Sequence, residues 1–509
     1  MVESPVAVGA RPLTVADVVS VADGAIVDLA PEAAARIRAA REVVDGLVAG
    51  DELIYGLNTG LGHMRDQRMP VEVLRAYQDA IVVAHEGAIG EALPARVVRA
   101  AMFARIAGLA HGWAGASPGV AETLVRMLNR RVHPIVPEIG SVGASDLMHM
   151  ACIGLVATGL GGRAEFEGEV LPGPEAMRRA GLKPVQMEPR DGLALISANG
   201  VSVGQGALVA ARCEMSASVA DLVVATSMEA IRGNPSIVEP SVSEAKPIAG
   251  QARSAARIRA FLAGSDRCRP GGAASVQDPL SFRVAPQVHG AFREVGRFFT
   301  DAVETELASG DDNPLVSVAE RRLVSNGNFH PMVLALAADA MRPAIAHVGL
   351  LGDRRMSHLW AAIWQDASLL EPKGLMAAAE AGGALLRYAA AARFTELRAL
   401  ANPITLDVPP LDMGVEDHAT NAPLAVLRTD DSLDLLDDLL AIELLMARDA
   451  IQRNPEAGRV GHGVRAAVDE LGAVLADLGR RPPSAVLHAA VKSALYSRIL
   501  SAAEAALQG

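Results

Sequence analysis

Apolar residues recur at helical spacing through most of the chain, and alanine and leucine dominate the repeat. The segment from Ala30 to Gly50 carries the pattern clearly, with Pro31 suited to a first helical turn and Gly50 to a stop. Leu435, Leu436, Leu439, Leu440 and Ile442 predict another helix, with Asp434, Asp437 and Asp438 on its wet side. After Gly200 the pattern is helical almost throughout, broken by loops near Pro240, Gly271–Gly272, Pro403–Pro410 and Pro482–Pro483. Strand signals are few and short: EFEGEVLPG and RRLVSNGNF each predict a hairpin. The fold class is therefore mainly α. A loop-rich portion is expected over residues 1–200 and a long-helix bundle over 201–509.

Composition narrows the classes of function. Half of the 509 residues are hydrophobic and 21% are charged, which describes a globular chain. A net charge of −12 argues against a nucleic-acid partner, since phosphate binding needs a concentrated basic surface. The longest apolar stretches, such as MACIGLVATGLGG, fall short of the ~20 residues that a membrane span needs. No basic segment followed by an apolar core marks a secretory signal, so the expectation is a soluble cytoplasmic protein without a membrane partner. Cys152, Cys213 and Cys268 are too few and scattered for a disulfide framework or a zinc cluster. HExxH, P-loop and dinucleotide fingerprints are absent, so neither a metal nor a nucleotide is expected.

Four polar or glycine-rich segments interrupt the helices. YGLNTGLG, Tyr55–Gly62, has the backbone freedom to cover a site closely, and it opens on one of only four tyrosines. A phenol there suits acid–base work, although from the loop alone a plain surface turn is the commoner explanation. In HPIVPEIGSVGASDL, Asp146 suits the N-cap of the apolar helix that follows. In VQDPLSFRVAPQVHG, Arg283 sits among apolar residues and needs an anionic partner, internal or on a ligand. GVEDHAT sets Glu416, Asp417 and His418 side by side.

In this order, these segments resemble the histidine and phenylalanine ammonia-lyases. The likeness runs from LTVADVVSVADG through YGLNTGLG, the Gln78–His85 stretch, GSVGASDL, VQDPLSFRVAPQVHG, GDDNPLV and NGNFH to GVEDHAT, over roughly residues 12–455. The resemblance implies an all-helical homotetramer acting on a small amino acid or related amine, with each active site built from three subunits. It also implies an electrophile, methylidene-imidazolone, made by cyclising an Ala-Ser-Gly tripeptide. It casts Tyr55 as the β-proton base, Arg283 as the grip on the substrate carboxylate, and His85 and Glu416 as determinants of ring specificity or acid–base chemistry. Asn199, Gln277 and Phe329 fall in motifs that line the substrate.

The departures from the family pattern are as informative. Ala144-Ser145 runs directly into Asp146-Leu147, without the glycine that offers cyclisation an unhindered amide. Leu280 replaces a tyrosine, the Asn-Gly-Thr motif reads Ser197-Ala198-Asn199-Gly200, and Pro331-Met332 follows NFH. Two versions of a lyase stay open, one with an unusual ring from Ala144-Ser145-Asp146 and one without the electrophile. In the second, Tyr55 and a nearby acid expel a better leaving group than ammonia. An aminomutase or isomerase, or a catalytically silent amino-acid-binding oligomer, is the alternative on the same fold.

Overall fold

Long helices dominate the computed structural model, which describes residues 5–48, 50–364, 383–406, 408–479 and 482–508. The chain divides into two compact units: the first is Met1–Ala211, Phe299–Asp339 and Pro403–Leu427, and the second is Arg212–Phe298, Ala340–Asn402 and Arg428–Gly509. The boundary falls within each of four long helices, Gly200–Ile231, Ala285–Leu307, Met332–Trp364 and Ala422–Arg453. All the described strands lie in the first unit. They form a parallel pair (Val6–Val8 with Val27–Leu29), two antiparallel pairs (Ile89–Ala92 with Pro137–Ile139, Leu315–Ser317 with Arg322–Val324) and a three-stranded sheet of His133–Pro134, Arg163–Phe166 and Glu169–Pro172.

Helix Pro31–Leu47 forms where the periodicity predicts, with Pro31 in its first turn and the Gly50 amide closing onto the Leu47 carbonyl at 3.0 Å. Its buried face, Ala40, Val43 and Val44, packs with Leu57 and Val316. The EFEGEVLPG hairpin is also present. The second predicted hairpin differs: Arg322–Val324 pairs backwards with Leu315–Ser317, so Asn326-Gly327 is not its turn. Asn326 is held instead by its side chain, which donates to the carbonyls of Asp312 and Val324.

Two further expectations need correction. Asp437 and Asp438 are buried in the second unit, not wet. Arg212 donates to Asp430, Asp434 and Asp437, while Lys492 reaches Asp438 at 2.6 Å, and this pairing offsets the loss of water. Two helical stretches, Asp191–Ile231 and Met332–Trp364, are also long and apolar enough to cross a membrane by length and composition, against the expectation that the longest apolar stretches fall short of a span. The apolar window of the first is wholly buried within the protein, and that of the second is half buried.

In the first unit, helices Leu74–Ala84, Leu147–Thr158 and Asp191–Ile196 pack against one another through glycines. A Cβ on Gly154 would lie 3.0 Å from Val82 and 3.1 Å from Leu195, and one on Gly192 would lie 2.5 Å from the Gln78 carbonyl. The Gln78 side chain accepts the Gly192 amide at 3.0 Å. This trio fixes three chain ends in space: His85 after the first helix, Ser145-Asp146 before the second and Ser197 after the third.

Candidate active site

The loop after Tyr55 is shaped by its own side chains. Asn58 accepts the Ile54 amide at 2.7 Å and donates to the Glu52 carbonyl at 2.8 Å. The Leu61 amide donates to the Tyr77 hydroxyl at 3.1 Å, and the His63 amide donates to Asp412 at 3.0 Å. The other carboxylate oxygen of Asp412 stands 2.8 Å from His63 Nδ1. Between them Gly62 has φ +54°, and a Cβ there would come within 1.8 Å of Asp412 Oδ2. Asp412 and Met413 themselves adopt φ of +44° and +55°, a left-handed backbone that non-glycine residues hold only when surroundings impose it.

Tyr55 is half-buried at the edge of this loop. Burial pushes its phenol above the usual range; the Gly62 amide opposes the rise, Glu416 adds to it and the buried Arg190 guanidinium opposes it. Glu416 is also raised, first by burial and then by Asp412, with His85 acting against the shift. His85 is oriented by its Nδ1, 2.7 Å from the Ile81 carbonyl.

Ser145 sits opposite with φ +60° and is almost fully buried. Its amide donates to the Phe329 carbonyl at 3.0 Å, and its Oγ lies 3.4 Å from Ser197 Oγ. Asp146 stands at the N-cap position as its sequence suggests, yet its carboxylate does not cap its own helix. It accepts the Ser202 amide at 2.7 Å and the Ser202 hydroxyl at 2.9 Å, and so caps the first turn of Gly200–Ile231. The Asp146 amide donates to the Ala198 carbonyl at 2.8 Å. Burial pushes the Asp146 carboxyl up to about 7 against the Ser202 hydrogen bonds, with Asp311 adding to the rise. Behind it Asn199 donates its amide to Asp311 at 2.7 Å, and burial raises Asp311 to about 6 and Glu306 to about 7.

Tyr55, His85, Ala144, Ser145, Phe329 and Glu416 all line one cavity of 1130 Å³ in the first unit. Asp146 and Asn199 are buried and do not line it, and Ser197 is the residue of the Ser197–Gly200 run that does. Gln277 and Arg283 belong to the second unit, where the Arg283 guanidinium donates to the Gln277 side chain and makes no ion pair among the described residues. The sequence reading missed His63, Asp412 and Tyr77. His63 directly follows the glycine loop and Asp412 precedes Glu416 by four, but 349 residues separate the pair and no local pattern joins them. Histidines, a phenol and carboxylates around one space make an arrangement suited to proton transfer next to a cationic ligand.

Residues 13–473 match the family model described as aromatic amino acid lyase. The chain is 38% identical over 448 residues to a histidine ammonia-lyase of Stigmatella aurantiaca, covering 87% of this chain and 86% of that one. Among solved structures it is similar to the ergothioneine-degrading ergothionase of Treponema denticola, at 27% identity and a TM-score of 0.89, covering 98% of this chain and 99% of that one. It is likewise similar to the tyrosine aminomutase of Streptomyces globisporus, at 26% identity and a TM-score of 0.90, covering 99% and 98%.

Proposed function

Because the chain belongs to the aromatic amino acid lyase family and is a carbon–nitrogen lyase, we propose that it expels an amine from an imidazole-bearing amino acid by removing the β-proton, without methylidene-imidazolone. One observation carries this reading: the Asp146 amide is already committed. Ring closure needs that nitrogen to attack the Ala144 carbonyl, and it donates to Ala198 instead. The Asp146 carboxylate is anchored on Ser202, and its Cβ crowds the compressed turn that cyclisation requires. Ala144-Ser145-Asp146 therefore does not fit the family's prosthetic group, and no step is routed through it.

Without that electrophile ammonia is a poor leaving group, whereas a quaternary ammonium group departs unaided as a neutral amine. Glu416 and Asp412 give the cavity the negative groups that a cationic amine needs. Tyr55 is the base, Glu416 faces the ammonium or the ring, and His85 and Phe329 shape the pocket for the ring. Lyase chemistry is favoured over amine migration because the ammonia-lyase relative shares 38% identity and the aminomutase 26%.

We further propose a cytoplasmic homotetramer in which a neighbouring copy supplies Arg283 and Gln277 to bind the substrate carboxylate. Arg283 makes no ion pair among the described residues, with Asp278 feeling its charge without pairing, and Val276 and Leu280 beside it are 90% and 59% exposed, apolar surface that a neighbour would cover. The test is a product assay by mass spectrometry with histidine, its N,N,N-trimethyl betaine and ergothioneine. Release of trimethylamine from a betaine with little or no ammonia from histidine is expected. Efficient ammonia release from histidine would contradict the reading.

A further inference from the structure

The base assigned to Tyr55 raises a difficulty that the pocket itself answers. A tyrosine removes a proton only as phenolate, and the buried surroundings of Tyr55, with Glu416 and Asp412 nearby, hold it as the neutral phenol. Something in the pocket must take the phenol's proton. The histidines that line the cavity are His63, His85, His330 and His418. His85 and His330 turn a ring nitrogen to a backbone carbonyl, at 2.7 and 3.2 Å. His63 is the cavity histidine paired with a carboxylate among the described residues.

Asp412 holds His63 at two points, with one oxygen on the backbone amide and the other on Nδ1. That geometry places the neutral ring's proton on Nδ1 and leaves the Nε2 lone pair open, and the carboxylate then stabilises the imidazolium that forms. The same loop begins at Tyr55 and runs into His63, and both side chains line the one cavity. Gly62 permits this closeness, since any Cβ would displace the Asp412 carboxylate.

We propose that His63, oriented by Asp412, accepts the proton of the Tyr55 phenol and thereby makes Tyr55 the base of the elimination. This rests on the reading of Tyr55 as the β-proton base. The O–H bond of Tyr55 breaks and its proton passes to His63 Nε2, giving phenolate and imidazolium with no net change in charge. The phenolate takes the substrate's β-proton while the carbon–nitrogen electron pair leaves with the amine. The departing tertiary amine, or water, then takes the proton from His63 and resets the pair. His63 is a catalytic residue in this scheme, and Asp412 is a positioning residue.

The test needs no substrate. With only four tyrosines, 13Cζ-labelled protein gives a readable tyrosine spectrum, and Tyr55→Phe identifies the Tyr55 signal. The charged groups around the pair are Glu416, Asp412 and Arg190 near Tyr55, with Arg65 and Asp66 following His63. In the parent, the Tyr55 signal should show an inflection where imidazoles titrate, between about pH 5 and 8. That inflection should vanish in both His63→Gln and His63→Asn. No inflection in the parent overturns the proposal, and so does its persistence in a folded His63 variant, which would assign it to another titrating group of the cavity such as His85 or Glu416. A second arm uses a turned-over substrate: His63→Ala should lose at least ~10²-fold in kcat, the scale of a general base, and regain part of it with added imidazole. A parent inactive on every betaine contradicts the proposed function while leaving the spectroscopic result to decide the dyad.

Discussion

At the scale of single residues, Asp146 shows how one side chain ties two helices' ends together. Its buried carboxylate is held by Ser202, and its amide donates to the Ala198 carbonyl. A buried carboxyl raised to about 7 favours its protonated form in the folded state. Its contribution to stability is therefore full below the ordinary carboxylate range, near pH 4, and is lost as the pH rises through about 7. Glu306 and Asp311 shift the same way. The free energy of urea unfolding, and with it the midpoint, should accordingly fall between pH 5 and pH 8, the free energy on the order of 1.4 kcal/mol per group per pH unit where one titrates. Asp146→Asn, which keeps an acceptor for Ser202, should flatten part of that slope. A parent whose midpoint rises over this range contradicts the assignment of these shifts.

Arg283 supports a second prediction at this scale. Its guanidinium reaches only the Gln277 side chain among the described residues, so it is available for a ligand carboxylate. Arg283→Lys keeps the charge and loses the fork, and ligand binding should weaken by about 1.5–3 kcal/mol by calorimetry. Unchanged affinity would mean that Arg283 does not hold the ligand. An arginine among apolar residues suggested an anionic partner in the sequence, and among the described residues its hydrogen-bond partner is the Gln277 side chain. Its half-exposed setting was not legible there, because Leu280 and Val276 are apolar residues that the chain leaves on the surface.

At the scale of elements, the glycine loop governs the active site. Gly62 combines a left-handed backbone with a contact that admits no side chain. Gly62→Ala should push the Asp412 carboxylate away and move His63 and Tyr55 by about an ångström, enough to lower kcat/KM by ~10²-fold. The midpoint of thermal unfolding should change little by comparison, since Gly62 lines the cavity and the core residue of the loop is Leu57. Activity within twofold of the parent would show that the loop tolerates the displacement. The loop itself was legible in YGLNTGLG, and helix Pro31–Leu47 in its apolar spacing. What the spacing did not reveal is the partner of the loop, because contacts between residues 63 and 412 leave no local pattern. The buried aspartates of Ala422–Arg453 were misread for the same reason: periodicity placed them on a polar face, and the distant Arg212 and Lys492 make that face an interior one.

At the scale of the whole molecule, exposed apolar side chains on the second unit point to assembly. Val276, Leu280, Leu385 and Tyr388 are all exposed, apolar surface that a neighbouring copy would cover in the proposed tetramer. Light scattering at micromolar concentration should give the mass of four copies of the 52.9 kDa chain. A monomer would remove the source proposed for Arg283 in the active site. Family and fold class were readable because many separate motifs occur in order along the chain. The fate of Ala144-Ser145-Asp146 was not, since it depends on where one amide hydrogen points.

That amide gives the most direct test of the central claim, chemistry without the prosthetic group. The measurement is the mass of the proteolytic peptide spanning Gly140 to Met148, taken from protein that turns over substrate. An unmodified mass, identical in form to that of a Ser145→Ala control apart from the substitution itself, is the expected result. A deficit of two waters in the parent, absent from the Ser145→Ala protein, would contradict it and establish the cyclised ring.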